Sequence, residues 1–269
     1  MELQTSLIER CEFSPPPVVT QLAHREKRFF VVREDLLPGG TKQRAAGALL
    51  QALSQRGFTH FIYASPFAGF AQVALSYVCA QLGLKCTLFV ESIPGTLGEV
   101  HEFTSLAARY GANIRMQSTL LEAEKSASMF AQNAGTHTYK IPLGFDCAEF
   151  KKSMRTEIEK AWASILEQLP QAPKKVWLPV GSGTLANIFA SLIDVGINCV
   201  DVHVLKPCDS RLQRLTEFPN IKYYSSNLAF AEPATEIPDV PSNLHYDAKL
   251  WEFIAIHGQD GDLWWNVAR

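Results

Sequence analysis

The sequence predicts an α/β protein with two domains built around parallel β-sheets. Short apolar runs typical of strands alternate with longer segments typical of helices, which is the pattern of successive strand–helix–strand units. The chain has 269 residues, of which 47% are hydrophobic, so it can bury one large core or two medium cores. We favour two cores, and we find neither an internal repeat nor a low-complexity segment.

Each predicted element is placed by its hydrophobic period and by the residues that end it. Three prolines at positions 15–17 mark an irregular opening, and the longest helix ends just before Pro170, which cannot continue it. The predicted strands are Arg28–Arg33, His60–Ala64, Cys86–Glu91, Asn113–Met116, Lys175–Pro179 and Val200–Leu205. The predicted helices are Lys42–Ser54, Ala71–Leu82, Glu99–Tyr110, Leu120–Gln132, Glu149–Gln168, Leu185–Val195, Ser210–Phe218 and Tyr246–His257.

The charge balance gives no global reason to expect nucleic acid or an anionic membrane as the main partner. The chain carries 25 basic and 27 acidic residues, a formal net charge of −2, which leaves room for a local basic patch. Six cysteines without a CxxC pair and seven histidines without an HExxH motif favour buried free thiols over a metal site. The first ten residues lack an apolar core, so we expect no signal peptide and a cytoplasmic protein.

One uncharged segment is long enough to cross a bilayer. Residues 61–84 carry no formal charge. The segment contains Pro66, Gly69 and several polar side chains, and it is therefore predicted as a strand, a turn and a buried helix. We expect no membrane partner.

The segment Val31–Leu50, VVREDLLPGGTKQRAAGALL, is predicted to bring an amine to a strand-to-helix junction. Three charged residues and a Pro-Gly-Gly turn precede Lys42, which lies on the first turn of an alanine-rich helix. Ligands of α/β proteins bind at such junctions. Because the helix N-terminus disfavours an ammonium group, the pKa of Lys42 can fall toward the range in which a neutral amine forms a Schiff base. The alternative is an ordinary solvated lysine.

A second glycine-rich segment, Val176–Ile193, is predicted as a strand, a turn and a helix. Its turn combines successive backbone N–H groups, two hydroxyls and the positive end of a helix, which together make an anion cradle. We expect this cradle to bind a phosphate, and the alternative is a tight turn that merely requires glycine. The residues of the cradle are Gly181, Ser182, Gly183, Thr184 and Leu185.

Two phosphate ligands compete for this cradle. Gly181, Gly183 and Ala186 satisfy the GxGxxA dinucleotide pattern, and Asp201 follows at a distance suited to a ribose contact. That acid should end the next strand, whereas Asp201 is predicted near the start of its strand. A cofactor with one phosphate is therefore favoured over a nicotinamide dinucleotide, and together with a Schiff-base lysine it indicates pyridoxal 5′-phosphate.

Three segments resemble, in the same order, the landmarks of the fold type II pyridoxal-phosphate enzymes, the tryptophan synthase β group. They are most similar to the branch of aminocyclopropane-carboxylate deaminase and D-cysteine desulfhydrase. The segments are REDLLPGGTKQR at Arg33–Arg44, LPVGSGTLA at Leu178–Ala186 and YDAK at Tyr246–Lys249.

The resemblance implies a cofactor site and a domain arrangement. Lys42 would hold pyridoxal phosphate as an internal aldimine, and its freed amine would act at the substrate α-carbon while the ring stores the carbanion charge. Tyr246 and Asp247 would lie at the active site. The resemblance also implies two parallel-sheet α/β domains, the smaller (residues 46–149) inserted in the larger (residues 1–45 and 150–269).

The chain departs from the family pattern in two places. The family places a serine and an asparagine at the turn after the second strand, where they hold the substrate. Ser65 matches the serine, whereas Phe70 occupies the position of the asparagine. Later in the chain, Trp264, Trp265 and Asn266 replace an HTGG-like segment. The resemblance therefore does not identify the substrate of this protein.

Each remaining candidate has a catalytic and a structural interpretation. Asp247 could face the ring nitrogen or be an exposed acid at a helix start. Tyr246 could move a proton or stack on the ring, or be a core tyrosine. Ser65 could bind a carboxylate or be a turn serine, and Thr41 could bond near the cofactor or cap the helix.

Two groups of residues are expected to support the site. Arg33, Glu34 and Asp35 are predicted to brace the turn before the lysine. Several aromatic residues could line an apolar substrate pocket or pack in the core. They are Phe67, Phe70, Trp264 and Trp265.

The leading functional hypothesis is a pyridoxal-phosphate-dependent lyase or deaminase that acts on a small amino acid, as a homodimer. A second hypothesis keeps the cofactor but takes an amino acid attached to a larger molecule, such as a hypermodified thymidine in phage DNA, with decarboxylase or lyase chemistry. Nucleic acid or a nucleotide adduct is a partner only under this second hypothesis. A third is a non-catalytic binder that kept the fold, and a fourth is a nicotinamide dehydrogenase.

Overall fold

The computed structural model describes residues 12–96, 98–202 and 217–269, and within these ranges the chain forms two sheets flanked by helices. The strands are β1 (Val19–His24), β2 (Lys27–Arg33), β3 (His60–Ser65), β4 (Lys85–Glu91), β5 (Asn113–Gln117), β6 (Thr138–Lys140), β7 (Lys175–Val180), β8 (Gly196–Asp201), β9 (Ile221–Ser225) and β10 (Leu263–Asn266). The α-helices are α1 (Gly40–Gln55), α2 (Ala71–Gln81), α3 (Glu102–Arg109), α4 (Leu120–Asn133), α5 (Ala148–Gln168), α6 (Thr184–Leu192) and α7 (Asp247–His257). Two short 3₁₀ helices cover Glu34–Leu36 and Leu143–Phe145.

The larger sheet has the strand order β1-β2-β10-β7-β8-β9. Its neighbouring strands are parallel except in the β1–β2 hairpin. β10 lies between β2 and β7, so that Trp264 is opposite Val31 on one side and Trp177 on the other. The carboxyl ends of these three strands consequently lie at the same edge of the sheet.

The smaller sheet has the strand order β5-β4-β3-β6, and its neighbouring strands are all parallel. β3, HFIYAS, is buried at every residue after His60, as expected for a central strand covered on both faces. Every strand of this sheet lies between residues 60 and 140.

One hydrophobic core extends across both sheets. It includes Val32 from β2, Leu50 from α1, Tyr63 from β3 and Trp265 from β10, all at most 1% exposed. A second cluster packs α7 against the other face of the larger sheet through side chains such as Trp264. The α/β fold with parallel sheets that the sequence predicts is confirmed.

Five of the predicted helices agree well with the structure, whereas one predicted strand is displaced. α1, α2, α4, α5 and α7 each lie within two residues of their predicted bounds. The strand predicted at Val200–Leu205 starts four residues too late, because β8 is Gly196–Asp201 and the polar Asn198 interrupts its apolar run; residues 203–205 lie outside the described residues. β1, β6, β9 and β10 were not predicted. The predicted helix Ser210–Phe218 lies almost entirely outside the described residues.

The uncharged segment 61–84 forms most of β3, a turn and α2, as predicted. α2 contains eleven residues. Among the residues that the structure describes, no helix is both long and apolar enough to cross a bilayer.

The described cysteines form no disulfide, although the thiols of Cys79 and Cys86 interact with each other. Cys79, Cys86, Cys147 and Cys199 are free, while Cys11 and Cys208 lie outside the described residues. The predicted domain boundary at residue 45 falls inside α1. The domain bounds, homodimer assembly and cytoplasmic location stay predictions.

Candidate active site

A cavity of about 480 Å³ lies where strands from both sheets reach their carboxyl ends. Parallel α/β sheets bind their ligands at this edge. The loops that follow β2, β3, β7 and β10 all contribute to its wall, together with residues of α5. From these loops the lining residues are Gly39, Thr41, Lys42, Pro66, Gly69, Phe70, Gly181, Ser182, Gly183, Thr184, Leu185, Val267 and Ala268.

Lys42 is the third residue of α1, and its side chain lines the cavity. Burial lowers the pKa of this amine from 10.5 to about 8. The neutral form of the Lys42 amine, which is the form that attacks an aldehyde, is therefore already well populated just above neutral pH. The sequence-based expectation of a lowered pKa rested on the helix N-terminus, whereas the main cause in the structure is loss of solvent.

The Pro-Gly-Gly turn brings α1 against the segment that follows β10. Gly40 has a φ of +60°, and a Cβ there would collide with the carbonyl oxygen of Val267. The backbone N–H of Thr41 donates to that same oxygen over 2.9 Å, and the indole Nε1 of Trp265 donates to the Thr41 hydroxyl over 2.9 Å. Thr41 thus joins two loops of the site, while Gly39 occupies the N-cap position.

The charged residues before the turn form the bracing contacts that the sequence predicts. Arg33 donates two hydrogen bonds of 2.8 Å to Asp35, and Arg44 donates two of 2.6 Å to Glu34. The side chains of Arg44 and Glu34 are almost completely buried. A buried bidentate pair of this kind fixes α1 relative to β2, because losing either partner would leave an uncompensated charge.

The glycine turn after β7 forms another part of the cavity wall. Residues 181–185 all line the cavity, with Gly183 at the N-cap of α6. The N–H groups of the first helical turn have no partner within the helix, and the dipole makes this end partially positive. The hydroxyls of Ser182 and Thr184 lie 3.2 Å apart and are close enough to bind one ligand.

Tyr63, which the sequence analysis missed, is buried in β3 and lines the cavity. The backbone N–H of Gly144 donates to its hydroxyl oxygen over 3.2 Å, and no acceptor for its own hydrogen is found among the described residues. Burial raises its pKa, so the phenol stays protonated. Tyr63 is therefore a hydrogen-bond donor available to a ligand.

Tyr246 lines the same cavity immediately before α7. Burial raises its pKa, and its electrostatic interactions with Tyr63 and Asp247 add to this effect. The structure therefore brings Lys42, Tyr246 and the predicted phosphate cradle to one place, and it adds Tyr63 to them.

Asp247 and Ser65 do not line the cavity, although both are fully buried. The Asp247 carboxylate accepts hydrogen bonds from the backbone N–H groups of Val267 (2.7 Å) and Ala268 (3.2 Å), which form part of the wall. Burial raises the pKa of Asp247 well above its ordinary value, and these two bonds oppose the rise. The interpretation of Asp247 as an exposed acid is therefore wrong. The Ser65 hydroxyl donates to the Pro66 carbonyl over 2.9 Å.

Phe70 is the one aromatic candidate of the four that lines the cavity. It occupies the N-cap position of α2, and its ring packs edge-on against Phe103 with centroids 5.0 Å apart. Trp264 and Trp265 are fully buried in β10, and Phe67 is nearly so. For these three residues the core interpretation is correct and the pocket interpretation is wrong.

The residues present fit pyridoxal phosphate. The cofactor needs one amine able to become neutral, a cradle for a phosphate and a closed apolar wall for its ring. Lys42 provides the amine, the first turn of α6 the cradle, and Phe150 with Met154 part of the apolar wall. The Tyr63 hydroxyl, whose hydrogen has no acceptor among the described residues, is available for one of the oxygens of the cofactor or substrate.

Similar solved structures share this fold. They include an ACC deaminase homologue, with a TM-score of 0.75, 17% identity and coverage of 96% of this chain and 90% of that one. A fungal L-serine ammonia-lyase from Rhizomucor miehei has a TM-score of 0.65, 16% identity and coverage of 94% and 93%. An O-acetylserine-dependent cystathionine beta-synthase from Helicobacter pylori has a TM-score of 0.67, 16% identity and coverage of 99% and 95%. At these identities the likeness supports the fold.

The family match decides the cofactor. The family model described as "Pyridoxal-phosphate dependent enzyme" matches residues 13–219, well over half of the chain. It favours pyridoxal phosphate over the dinucleotide. This matters because Asp201 ends β8, so the positional argument used against the dinucleotide does not hold. The chain belongs to the family of pyridoxal-phosphate dependent enzymes.

Proposed function

We propose that this protein is a lyase or deaminase that acts on a small amino acid. The observation that carries the proposal is the presence of an amine of lowered pKa, an anion cradle and two protonated phenols in the lining of one cavity. When bound, the cofactor supplies an electron-accepting ring that stabilises negative charge at the substrate α-carbon. The ACC deaminase homologue and the L-serine ammonia-lyase, which have similar folds, support the same reaction class.

Lys42 has two tasks in this proposal. Its Nζ would hold the cofactor covalently, and the same amine, when free, would move a proton at the substrate α-carbon. A pKa of about 8 suits the second task, because proton transfer is most effective when the pKa of the group lies near the working pH. Residues 181–185 hold the cofactor phosphate.

The other candidates bind and orient. Tyr63 donates its hydroxyl hydrogen to an oxygen of the ligand, and Tyr246 is a second protonated phenol that can donate a hydrogen bond in the same cavity. Asp247 keeps Val267 and Ala268 in place through its two hydrogen bonds. Ser65 shapes the turn that ends at Phe70.

Two measurements test the role of Lys42. Borohydride reduction of the cofactor-loaded protein, followed by peptide mapping, should place the pyridoxyl group on Lys42. Release of ammonia or a keto acid from a panel of D- and L-amino acids should be abolished in Lys42→Ala and kept in Lys160→Ala, a change to an exposed lysine on α5. A label on another lysine, or turnover by Lys42→Ala, would contradict the proposal.

A second candidate substrate is an amino acid attached to a larger molecule, such as a hypermodified thymidine. Phe70 puts an apolar ring where the resemblance places an asparagine that holds the substrate. In addition, Lys42 is the only cation among the described residues that line the cavity, and the cofactor would occupy it, so no cationic side chain of this lining remains for a free carboxylate. Mass spectrometry of products from free amino acids and from amino-acid-bearing nucleosides separates the two candidates. Cofactor binding without turnover of either substrate would indicate a non-catalytic binder.

A further inference from the structure

A second, open cleft of about 450 Å³ lies beside the phosphate cradle. Residues of α5 form one wall, and the cradle together with α6 forms the other. Asp146, Ser182 and Thr184 line both this cleft and the active-site cavity, so the two spaces adjoin. A molecule bound in the cavity therefore has a direct path into the cleft.

The α5 wall is strongly basic. Lys151, Lys152 and Arg155 lie within the first half of α5 and are all exposed. Asp146 is the single carboxylate among the described residues of the cleft, and it pairs with Lys151. Lys152 pairs with no carboxylate in the described parts of the chain. This local excess of positive charge contrasts with a formal net charge of −2 for the whole chain.

Arg155 is already oriented toward the cleft. Its Nη1 donates to the Ser191 hydroxyl over 2.7 Å, and its Nη2 lies 3.5 Å from the Ser191 carbonyl oxygen. These bonds hold the guanidinium beside α6 without neutralising its charge. The remaining N–H groups of a guanidinium suit an oxyanion with two or more oxygens.

The opposite wall, formed by α6, is polar. The Ser191 hydroxyl accepts the hydrogen bond from Arg155 and donates its own hydrogen to the Ile188 carbonyl over 3.0 Å, and the Asn187 amide donates to the Gly183 carbonyl over 2.8 Å. Ser182 and Thr184 border the cleft but belong to the cradle proposed for the cofactor phosphate. Lysine, arginine and amide N–H groups are among those with which proteins bind phosphate.

We propose that this cleft binds a phosphate group carried by the substrate, so that the reacting amino acid is attached to a phosphorylated molecule such as a nucleotide. The inference rests on the proposed lyase chemistry, and it favours an amino acid attached to a larger molecule over a free amino acid as the substrate. The active-site cavity holds the amino-acid part, and the adjoining cleft holds the phosphate. The source of the phosphate, a mononucleotide or a nucleic-acid backbone, is decided by experiment.

The test measures binding rather than turnover and uses the cofactor-loaded protein, whose own cradle is filled. The probes are thymidine 5′-phosphate, followed by calorimetry, and a fluorescent oligothymidylate, followed by polarisation. Lys152→Gln and Arg155→Gln should each weaken binding roughly tenfold. Lys160→Gln removes the same charge from α5 outside the cleft, where Lys160 pairs with Glu157, and it should leave binding unchanged.

The two probes distinguish the sources of the phosphate. Binding of the mononucleotide indicates a single phosphate site, whereas binding of the oligonucleotide alone indicates a phosphodiester backbone. In the second case each variant should also lower the salt dependence of binding by about one unit of slope. The inference is overturned if neither probe binds, or if Lys152→Gln and Lys160→Gln have equal effects. An inactive protein that still binds the probes would refute only the proposed reaction.

Discussion

The lowered pKa of Lys42 comes from its burial and not from a neighbouring charge. Burial alone lowers its pKa to about 8. The two carboxylates of the cavity lining have other partners, since Glu91 accepts a hydrogen bond from the backbone N–H of Leu120 and Asp146 pairs with Lys151. Among the described residues the amine therefore has no ion-pair partner, which leaves it available for covalent bonding in the proposed reaction.

This environment predicts the pH dependence of Lys42 in the protein without cofactor. Below pH 8 the amine is mainly an ammonium group and unreactive, and above it the neutral amine predominates. The rate at which trinitrobenzenesulfonate labels Lys42, followed by mass spectrometry, should therefore rise with pH, with a midpoint near pH 8. A lysine in a short peptide, with a pKa of about 10.4, serves as the reference. Equal midpoints for the two amines would show that burial does not lower this pKa.

Candidate site residues could be predicted where the signal lies in adjacent positions of the sequence. Contacts between segments that are distant in the sequence could not be predicted. Lys42 and residues 181–185 were found because a turn, its glycines and a helix start are adjacent in the sequence. Tyr63 was missed because, in the apolar run HFIYAS, a cavity-lining tyrosine has the same pattern as a core tyrosine. The partners of Asp247 are backbone N–H groups twenty residues away, which no spacing reveals.

The start of α1 depends on a close contact with the segment after β10. The backbone of Gly40 lies in the left-handed region, and its α-carbon faces the Val267 carbonyl without space for a methyl group. Val267 and Ala268 line the cavity, so a shift in this contact changes the site itself. The glycine therefore serves the geometry of the active site as well as that of the turn.

Replacing this glycine should cost both stability and cofactor binding. Gly40→Ala adds a strained φ and a steric collision, and it should lower the free energy of unfolding by about 1–3 kcal/mol. The matched control is Gly83→Ala, which has a φ of +65° but no atom within 4 Å of the added Cβ. Urea unfolding and cofactor titration of both variants measure the difference. Equal losses of stability and of cofactor binding in the two variants would mean that backbone strain, and not the contact with Val267, explains the effect of Gly40→Ala.

The elements that could be predicted are those whose burial is visible in their own sequence. β3, β4 and β7 each contain a mainly apolar run that is buried, and the longer helices carry a clear period. β1 is an edge strand whose side chains are mostly exposed or half-buried, so its pattern is weak. β10 has only four residues and gains its stability from β2 and β7, which lie far away in the sequence.

At the scale of the whole molecule, the two sheets share one core and one cavity. The main hydrophobic cluster contains side chains from both sheets, and the cavity is lined by loops from both. The predicted inserted domain, residues 46–149, is therefore joined to the remainder by packing as well as by the chain. Such packing favours cooperative unfolding.

The positions of the tryptophans allow this cooperativity to be measured. All five lie outside residues 46–149, at positions 162, 177, 251, 264 and 265. Tryptophan fluorescence thus follows the larger sheet, while far-ultraviolet circular dichroism follows both. We expect the two thermal transitions to coincide because the core is continuous. A second transition seen by circular dichroism alone would show that the inserted segment unfolds independently.

The position of β10 also constrains how the protein is made. The ribosome delivers about 5–20 residues per second, so the 86 residues from 181 to 266 take roughly 4–17 seconds to emerge after β7. The smaller sheet, whose strands end at residue 140, can assemble during this time. Until residue 266 has been synthesised, β2 and β7 lack their common neighbour and expose unpaired edges to other nascent chains. The phosphate cradle is therefore translated before β10, while the larger sheet is still incomplete. Chaperones that hold the nascent chain would matter most in that interval.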